Sequence, residues 1–140
     1  MPYANKTDMQ ARYEDQKLIE LTDRVEPYQN IIIDSVMNIA LDDASAVIDM
    51  YVGGRYKVPL SPAPQSLIKI CCTLAYYGLH RGHHHDELRQ TYEDALSYLE
   101  KIAAGKIELN QLGAEAPSAT ATAVVEAPDR IFNRDSLKVY

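Results

Sequence analysis

All four histidines of the chain lie between His80 and His85. Imidazole nitrogens bind zinc, and His80 and His84 would share a face of a helix because they are four residues apart. Gly82 interrupts a continuous helix here, and the chain has neither an HExxH motif nor a cysteine pair with metal-ligand spacing. The alternative is an exposed turn whose charge changes near neutral pH. We therefore assign no metal ligand and no cofactor.

A small metal- or ligand-binding protein that uses the His80–His85 turn nevertheless stays one of two hypotheses for function. It predicts a convergent pocket, a monomeric protein and a rise in stability when zinc is added. These properties distinguish it from an assembly protein.

The other residues that could do chemistry have simpler explanations. Cys71 and Cys72 are adjacent in an apolar helical pattern, where buried thiols are usually inert. Adjacent acids such as Asp42 and Asp43 are more often solvated helix surface than acid–base catalysts. The chain has neither a glycine-rich phosphate loop nor a Gly-x-Ser-x-Gly motif. We expect a protein that is not an enzyme and has no catalytic residue.

Length and charge limit the function further. A chain of 140 residues predicts one ordinary domain. Its formal net charge of −6 argues against a DNA-end-binding packaging component, because binding duplex phosphates needs clustered Lys and Arg. Adjacent cysteines outside a disulfide framework favour a reducing compartment. The N-terminus lacks the pattern of a signal peptide, and no apolar run reaches the roughly eighteen residues of a membrane helix.

The spacing of apolar residues predicts a small all-α bundle of about four helices. These helices must position the candidate histidine, cysteine and acidic residues. The first is expected to begin with a capping box at Thr7 and to be kinked or split near Glu14–Asp15. A proline-rich loop at 55–64 separates the second helix from the third. The other predicted helices run from Ile31 to Val52, from Gln65 to Leu79 and from Asp86 to Ala104.

The long helix at 31–52 is expected to organise the bundle, with Asn30 as its N-cap and Gly53 ending it at a positive φ. Its predicted buried stripe, spaced by three and four residues, is Ile33, Met37, Ala40, Ala44, Val47 and Tyr51. Its predicted polar stripe, which suits water or another subunit, is Asp34, Asn38, Asp42, Ser45 and Asp49. The third helix is apolar nearly all round, so we expect it at the centre of the core.

A flank of Ile32, Val36, Ile39 and Met50 widens the apolar side of the long helix beyond its predicted buried stripe, and Asp43 falls within this flank. A lone charge there is costly unless it is paired, so we expect Asp43 to pair with Arg55 or with an arginine of a neighbouring subunit. The alternative is a position at the edge of the flank from which the carboxylate reaches water.

The composition changes beyond the helical domain at 1–109. Residues 110–128 are rich in Ala, Thr, Ser, Glu and Pro without a hydrophobic period, which predicts a flexible linker. Residues 129–140 hold the only Phe of the chain among alternating apolar and charged residues, which predicts an extended docking arm. The arm residues expected to make contacts are Arg130, Phe132, Arg134, Leu137 and Tyr140.

A series of short segments also has a distinctive order and spacing. They are Leu21–Arg24, Ala40–Tyr51, Gly54–Tyr56, Pro59–Leu60, Tyr92–Ala95, Ile102–Lys106 and Phe132–Leu137. Their order and spacing resemble the Mu-type phage head–tail adaptor family, long described as a phage family of unknown function. The resemblance extends over nearly the whole chain. The Gly82–His85 turn and the Ala/Thr-rich linker depart from the family pattern and inherit nothing from it.

The resemblance implies a structural virion protein, a head–tail connector in the neck of a tailed phage. Such a protein would form a ring of about twelve copies beneath the portal protein, and would receive the tail or a stopper protein. It would lie in the virion, and in the host cytoplasm during assembly, with neither membrane contact nor sequence-specific nucleic acid binding. Acidic residues facing its channel would let DNA pass. Expected contact residues within the domain are Asp43, Arg55 and Tyr56.

Overall fold

The computed structural model describes residues 2–82 and 84–109, and over these it contains five α-helices and no β-strand. The prediction of an all-α bundle is therefore confirmed. No helix among these residues is long and apolar enough to cross a membrane. The predicted linker at 110–128 and arm at 129–140 lie outside the described residues. The helices are α1 (Lys6–Arg12), α2 (Asp15–Thr22), α3 (Asp34–Val52), α4 (Gln65–Leu79) and α5 (Asp86–Ala103).

The predicted first helix is split into α1 and α2 at the expected place, which raises the number of helices from four to five. The prediction of a cap at Thr7 is wrong. Asn5 caps α1 instead, because its side chain accepts the Asp8 backbone N–H at 3.0 Å and the Asp8 carboxylate accepts that of Asn5 at 2.9 Å. The same capping-box chemistry is present, but it is made by an Asn–Asp pair.

The start of α3 also differs from the prediction. Asn30 has a φ of 56°, which is left-handed, so it does not cap the helix, and α3 begins at Asp34. The Asp23 carboxylate accepts the Asn30 backbone N–H at 2.7 Å, and the Thr22 hydroxyl accepts that of Ile33 at 3.1 Å. These bonds from the end of α2 hold the connection in a non-helical conformation and set the first residue of α3.

The buried face of α3 is rotated relative to the predicted stripe. Ser45, predicted on the polar stripe, is buried, and its hydroxyl donates to the Leu41 carbonyl at 2.8 Å. The predicted members Ala40 and Val47 are only half-buried. Gly53 has a φ of −62°, so the expected positive φ is also wrong. The residues that α3 buries are Met37, Leu41, Ala44, Ser45, Ile48 and Val52.

The core lies around α4, as its nearly continuous apolar surface predicts. This helix packs against α3, α5 and α1. Leu67, Cys71 and Cys72 are fully buried on it. With α4 at the centre, α3 presents one side to the core and leaves another apolar side outward.

Candidate functional site

A groove of about 330 Å³ lies beside α3, bounded by the connection after α2 and by the end of α4. We call it the α3 groove. Three charged side chains line it, Arg24, Asp43 and Arg81. The apolar residues that line it include Val25, Val36, Ile39, Ala40, Val47 and Leu74.

Two apolar residues of the α3 groove lining are highly exposed to water. Val25 is 79% exposed and Ile39 is 62% exposed. Tyr28 and Ile31, in the connection that leads to α3, are also exposed, as is Met50 further along the helix. A cluster of large exposed apolar side chains with a polar rim is typical of an interaction surface. The structure therefore indicates a docking surface along one side of α3.

The charged side chains that line the α3 groove differ in their contacts and exposure. The Arg24 guanidinium donates a hydrogen bond to the Leu79 carbonyl at the end of α4, where the negative end of the helix dipole favours a cation. Asp43 is exposed. Within residues 2–82 and 84–109, no ion pair joins Asp43 to Arg55, so the predicted pairing within one chain is not found there. Pairing with an arginine of a neighbouring subunit stays a prediction.

Arg55 and Tyr56 lie together beyond the far end of α3. The Arg55 guanidinium covers Gly105 so closely that a Cβ on Gly105 would lie 1.5 Å from its Nη1 atom. The Tyr56 hydroxyl accepts the Leu109 backbone N–H at 3.1 Å. The chain therefore leaves the described domain beside this end of α3. The predicted contact residues Arg130, Phe132, Arg134, Leu137 and Tyr140 lie outside the described residues.

The histidine turn is an aromatic cluster in the structure. The His80 Nδ1 atom is 2.8 Å from the Tyr76 carbonyl, and its ring meets the Tyr76 ring edge-on at 4.5 Å. The His84 ring stacks on Tyr77 at 4.0 Å, and Tyr77 stacks on Tyr92 at 3.9 Å. Burial lowers the pKa of His80. These contacts use the imidazoles for packing.

His80 and His84 do not share a helical face, because α4 ends at Leu79, in agreement with the interruption expected at Gly82. His83 lies outside the described residues. Among the residues that are described, no group of three or more His, Cys, Asp or Glu side chains is placed to hold a metal ion.

The thiols of Cys71 and Cys72 are buried in the core. Burial raises the pKa of Cys72 to about 12 and also raises that of Cys71. The Cys71 sulfur lies 3.5 Å from the Ser45 hydroxyl. A thiol that holds its proton at neutral pH is a poor nucleophile.

Sequence reasoning missed Arg24, Val25 and Arg81 as parts of one surface. They lie in connections, where no periodicity links them to α3. A usable signal did exist on α3, because its apolar residues cover a wider arc than one buried face needs. The excess arc around Ile39 is the side that lines the α3 groove.

A family profile described as "Bacteriophage Mu, Gp36" matches residues 3–127, which include all five helices and the α3 groove. The chain belongs to the bacteriophage Mu Gp36 family. A similar protein is the Mu-like prophage FluMu protein gp36 of Haemophilus influenzae, 39% identical over 107 residues, which are 76% of this chain and 74% of that protein. Another is gene product J of Escherichia phage Mu, 32% identical over 136 residues and 96% of each chain. This Gp36-family chain is thus a phage protein.

Proposed function

We propose that this Gp36-family protein is a structural virion protein, a head–tail connector that forms a ring in the neck of a tailed phage. The ring joins the portal to the tail or to a stopper protein and leaves a channel for DNA. Membership of a phage family supports this proposal. The observation that carries it is the placement of two opposite charges, Asp43 within α3 and Arg55 beyond its C-terminal end.

Asp43 lies nine residues before Val52, the last residue of α3, which is about 14 Å along the helix axis at 1.5 Å per residue, and Arg55 lies beyond that end. In the structure the Arg55 guanidinium lies against Gly105, and the described residues show no ion pair between Asp43 and Arg55. Contact between the Arg55 end of one copy and the Asp43 side of the next is a heterologous interface, because it uses two different patches. Such interfaces close into rings when the rotation between neighbours allows it.

The exposed apolar side chains strengthen this proposal. Tyr28, Ile31 and Met50 are further exposed apolar side chains outside the α3 groove, before and after Asp43 in the sequence. Interfaces combine such an apolar centre with a charged rim that sets the register. A charge pair at the edge of an apolar contact would fix how neighbours align around the ring.

The test is native mass spectrometry of the full chain with and without a portal ring. We expect a ring-sized complex of the wild-type chain on the portal. Asp43→Arg and Arg55→Asp should each weaken it, whereas the chain carrying both changes should regain it because the pair is re-formed with reversed signs. Asp42→Arg is the matched control, since it makes the same charge change at an exposed neighbouring position on a different face of α3.

A second variant ends at Gln111 and so lacks the predicted arm. We expect it to bind the portal more weakly than the full chain, because an arm that orders on a neighbour adds contacts. A wild-type chain that remains monomeric and ignores the portal would overturn the proposal.

A further inference from the structure

We propose that the C-terminal arm, residues 129–140, occupies the α3 groove of its own chain in the free protein. This inference concerns the isolated chain, so it does not depend on the neck ring. It supplies a cover for the exposed apolar side chains that line the α3 groove.

The groove needs an apolar occupant. Val25 and Ile39 are exposed to water. The volume of the α3 groove, about 330 Å³, lies within the range of ligand-binding pockets in proteins. The arm carries two adjacent large apolar residues, Ile131 and Phe132, and Phe132 is the only phenylalanine of the chain. Burying both against the groove would remove apolar surface from water on the arm and on the domain.

The charges match as well. Asp43 is the acidic residue of the groove lining, and Arg24 and Arg81 are its basic residues. The apolar pair of the arm is flanked by Arg130 and Arg134, with acids at positions 129 and 135. An arm arginine can therefore pair with Asp43 while an arm aspartate pairs with an arginine of the rim, so the charges of the arm complement those of the groove.

The arm can reach this groove from where the domain ends. The Tyr56 hydroxyl holds Leu109 beside the far end of α3. Ile39 is thirteen residues before Val52, the last residue of α3, which is about 20 Å along the helix axis. Residues 110–128 can span at most roughly 65 Å, at about 3.3–3.6 Å per residue. The length of the linker therefore permits docking on the same chain.

The same distances favour the chain's own arm over that of a second copy. A flexible chain as long as residues 110–128 would have a root-mean-square span of about 24 Å, similar to the roughly 20 Å between Ile39 and the end of α3. A match of this kind gives an effective concentration of the order of millimolar. A second copy at micromolar concentration competes poorly with it. In the free chain the arm would thus shield the groove and limit self-association.

Paramagnetic relaxation enhancement tests this placement directly. A spin label is attached to Ser136→Cys, and the native Cys71 and Cys72 should not react because both are fully buried. We expect the amide signals of Ile39, Asp43 and Val47 to lose most of their intensity in the labelled chain. The loss should be independent of protein concentration, and it should be absent from a mixture of isotope-labelled chain with separate spin-labelled chain.

Two variants of the domain sharpen the result. Ile39→Lys places a charge in the groove and should restore the amide signals. Asn38→Lys is the matched control, since it is exposed on the opposite side of α3, and it should leave the signal loss unchanged. Phe132→Ser changes the arm alone and should also restore the signals, so the test stands even if Ile39→Lys alters the fold.

Signal loss that also appears in the mixture and grows with protein concentration would mean that the arm of a second copy fills the groove, which would overturn the proposal. Signal loss at a different surface, or none at all, would overturn it too. The portal-binding measurement is separate, so a failed ring and a failed arm contact give different results.

Discussion

Tyr3 shows how one residue ties the start of the chain to α3. Its hydroxyl donates to the Asp49 carboxylate and accepts the Leu60 backbone N–H at 3.2 Å, while its own backbone N–H donates to Ser45 at 2.9 Å. Burial, together with the bond to Asp49, raises the pKa of Tyr3 to about 12. An unfolded tyrosine has a pKa of about 10.

This raised pKa predicts a specific pH dependence. The protonated phenol favours the folded state fully below about pH 10, and the contribution is lost as the pH rises towards 12. Tyr3→Phe should lower the free energy of unfolding by about 1–2 kcal/mol at pH 7 and remove this part of the alkaline fall. Urea unfolding at several pH values checks it, with the exposed Tyr28→Phe as control. An alkaline fall of equal size in the Tyr3 variant would contradict the assignment.

The histidine turn gives a second prediction for individual residues. We expect zinc to leave the melting temperature unchanged, because His80 is bonded to the Tyr76 carbonyl and His84 is stacked on Tyr77. A zinc site filled at a hundred times its Kd would add about 2.7 kcal/mol to stability. A rise in melting temperature that disappears in the chain carrying His80→Ala and His84→Ala would favour the metal-binding hypothesis instead.

At the scale of the helix, α3 separates a core-facing apolar side from a groove-facing one. Leu41 is fully buried, so Leu41→Ala should lower the free energy of unfolding by about 2–5 kcal/mol. Ile39→Ala removes a similar side chain from the exposed side and should cost less than about 1 kcal/mol. Chemical denaturation of the two variants compares the faces of one helix. Equal losses would mean that Ile39 belongs to the core.

Substitutions at two glycines, one inside α4 and one just after α5, should have opposite effects on stability. Gly78 is exposed inside α4, and a Cβ added there would have no atom within 4 Å, so Gly78→Ala should stabilise the protein by about 0.5–1 kcal/mol. Gly105 follows α5 with a φ of 75° and lies under the Arg55 guanidinium. Gly105→Ala should therefore destabilise the protein by about 1 kcal/mol or more, since it adds backbone strain and displaces Arg55. Thermal unfolding of the pair should shift in opposite directions.

The sequence was sufficient to predict where most helices lie along the chain, but it was insufficient to predict how α3 is rotated about its own axis. Periodicity and breakers located α4 and α5 closely, because apolar spacing and proline act locally. The orientation of α3 depends on which side packs against α4, and its broad apolar arc left two choices. The start of α3 depends on bonds from Asp23 and Thr22 across a connection. The α3 groove could not be predicted for the same reason, since Arg24 and Arg81 reach it from separate loops.

At the scale of the whole molecule, charge bears on the passage of DNA. The formal net charge is −6, and α5 carries exposed acids at Glu93, Asp94 and Glu100. A surface of this sign repels phosphates and cannot gain affinity by releasing counterions from DNA. A channel built from such chains would allow DNA to move without adhering to its wall.

We therefore expect the purified protein to leave a short DNA duplex unretarded in a gel. This should hold even at about 50 mM salt, where non-specific binding to DNA is much stronger than at about 200 mM. A chain with Glu93→Lys, Asp94→Lys and Glu100→Lys serves as the comparison, because these changes raise the net charge from −6 to zero and place three cations on one helix. Retardation should appear with this variant and should weaken as salt is added. Salt-sensitive retardation by the wild-type chain would instead reveal a basic DNA-binding surface, which is incompatible with a channel wall that repels phosphates.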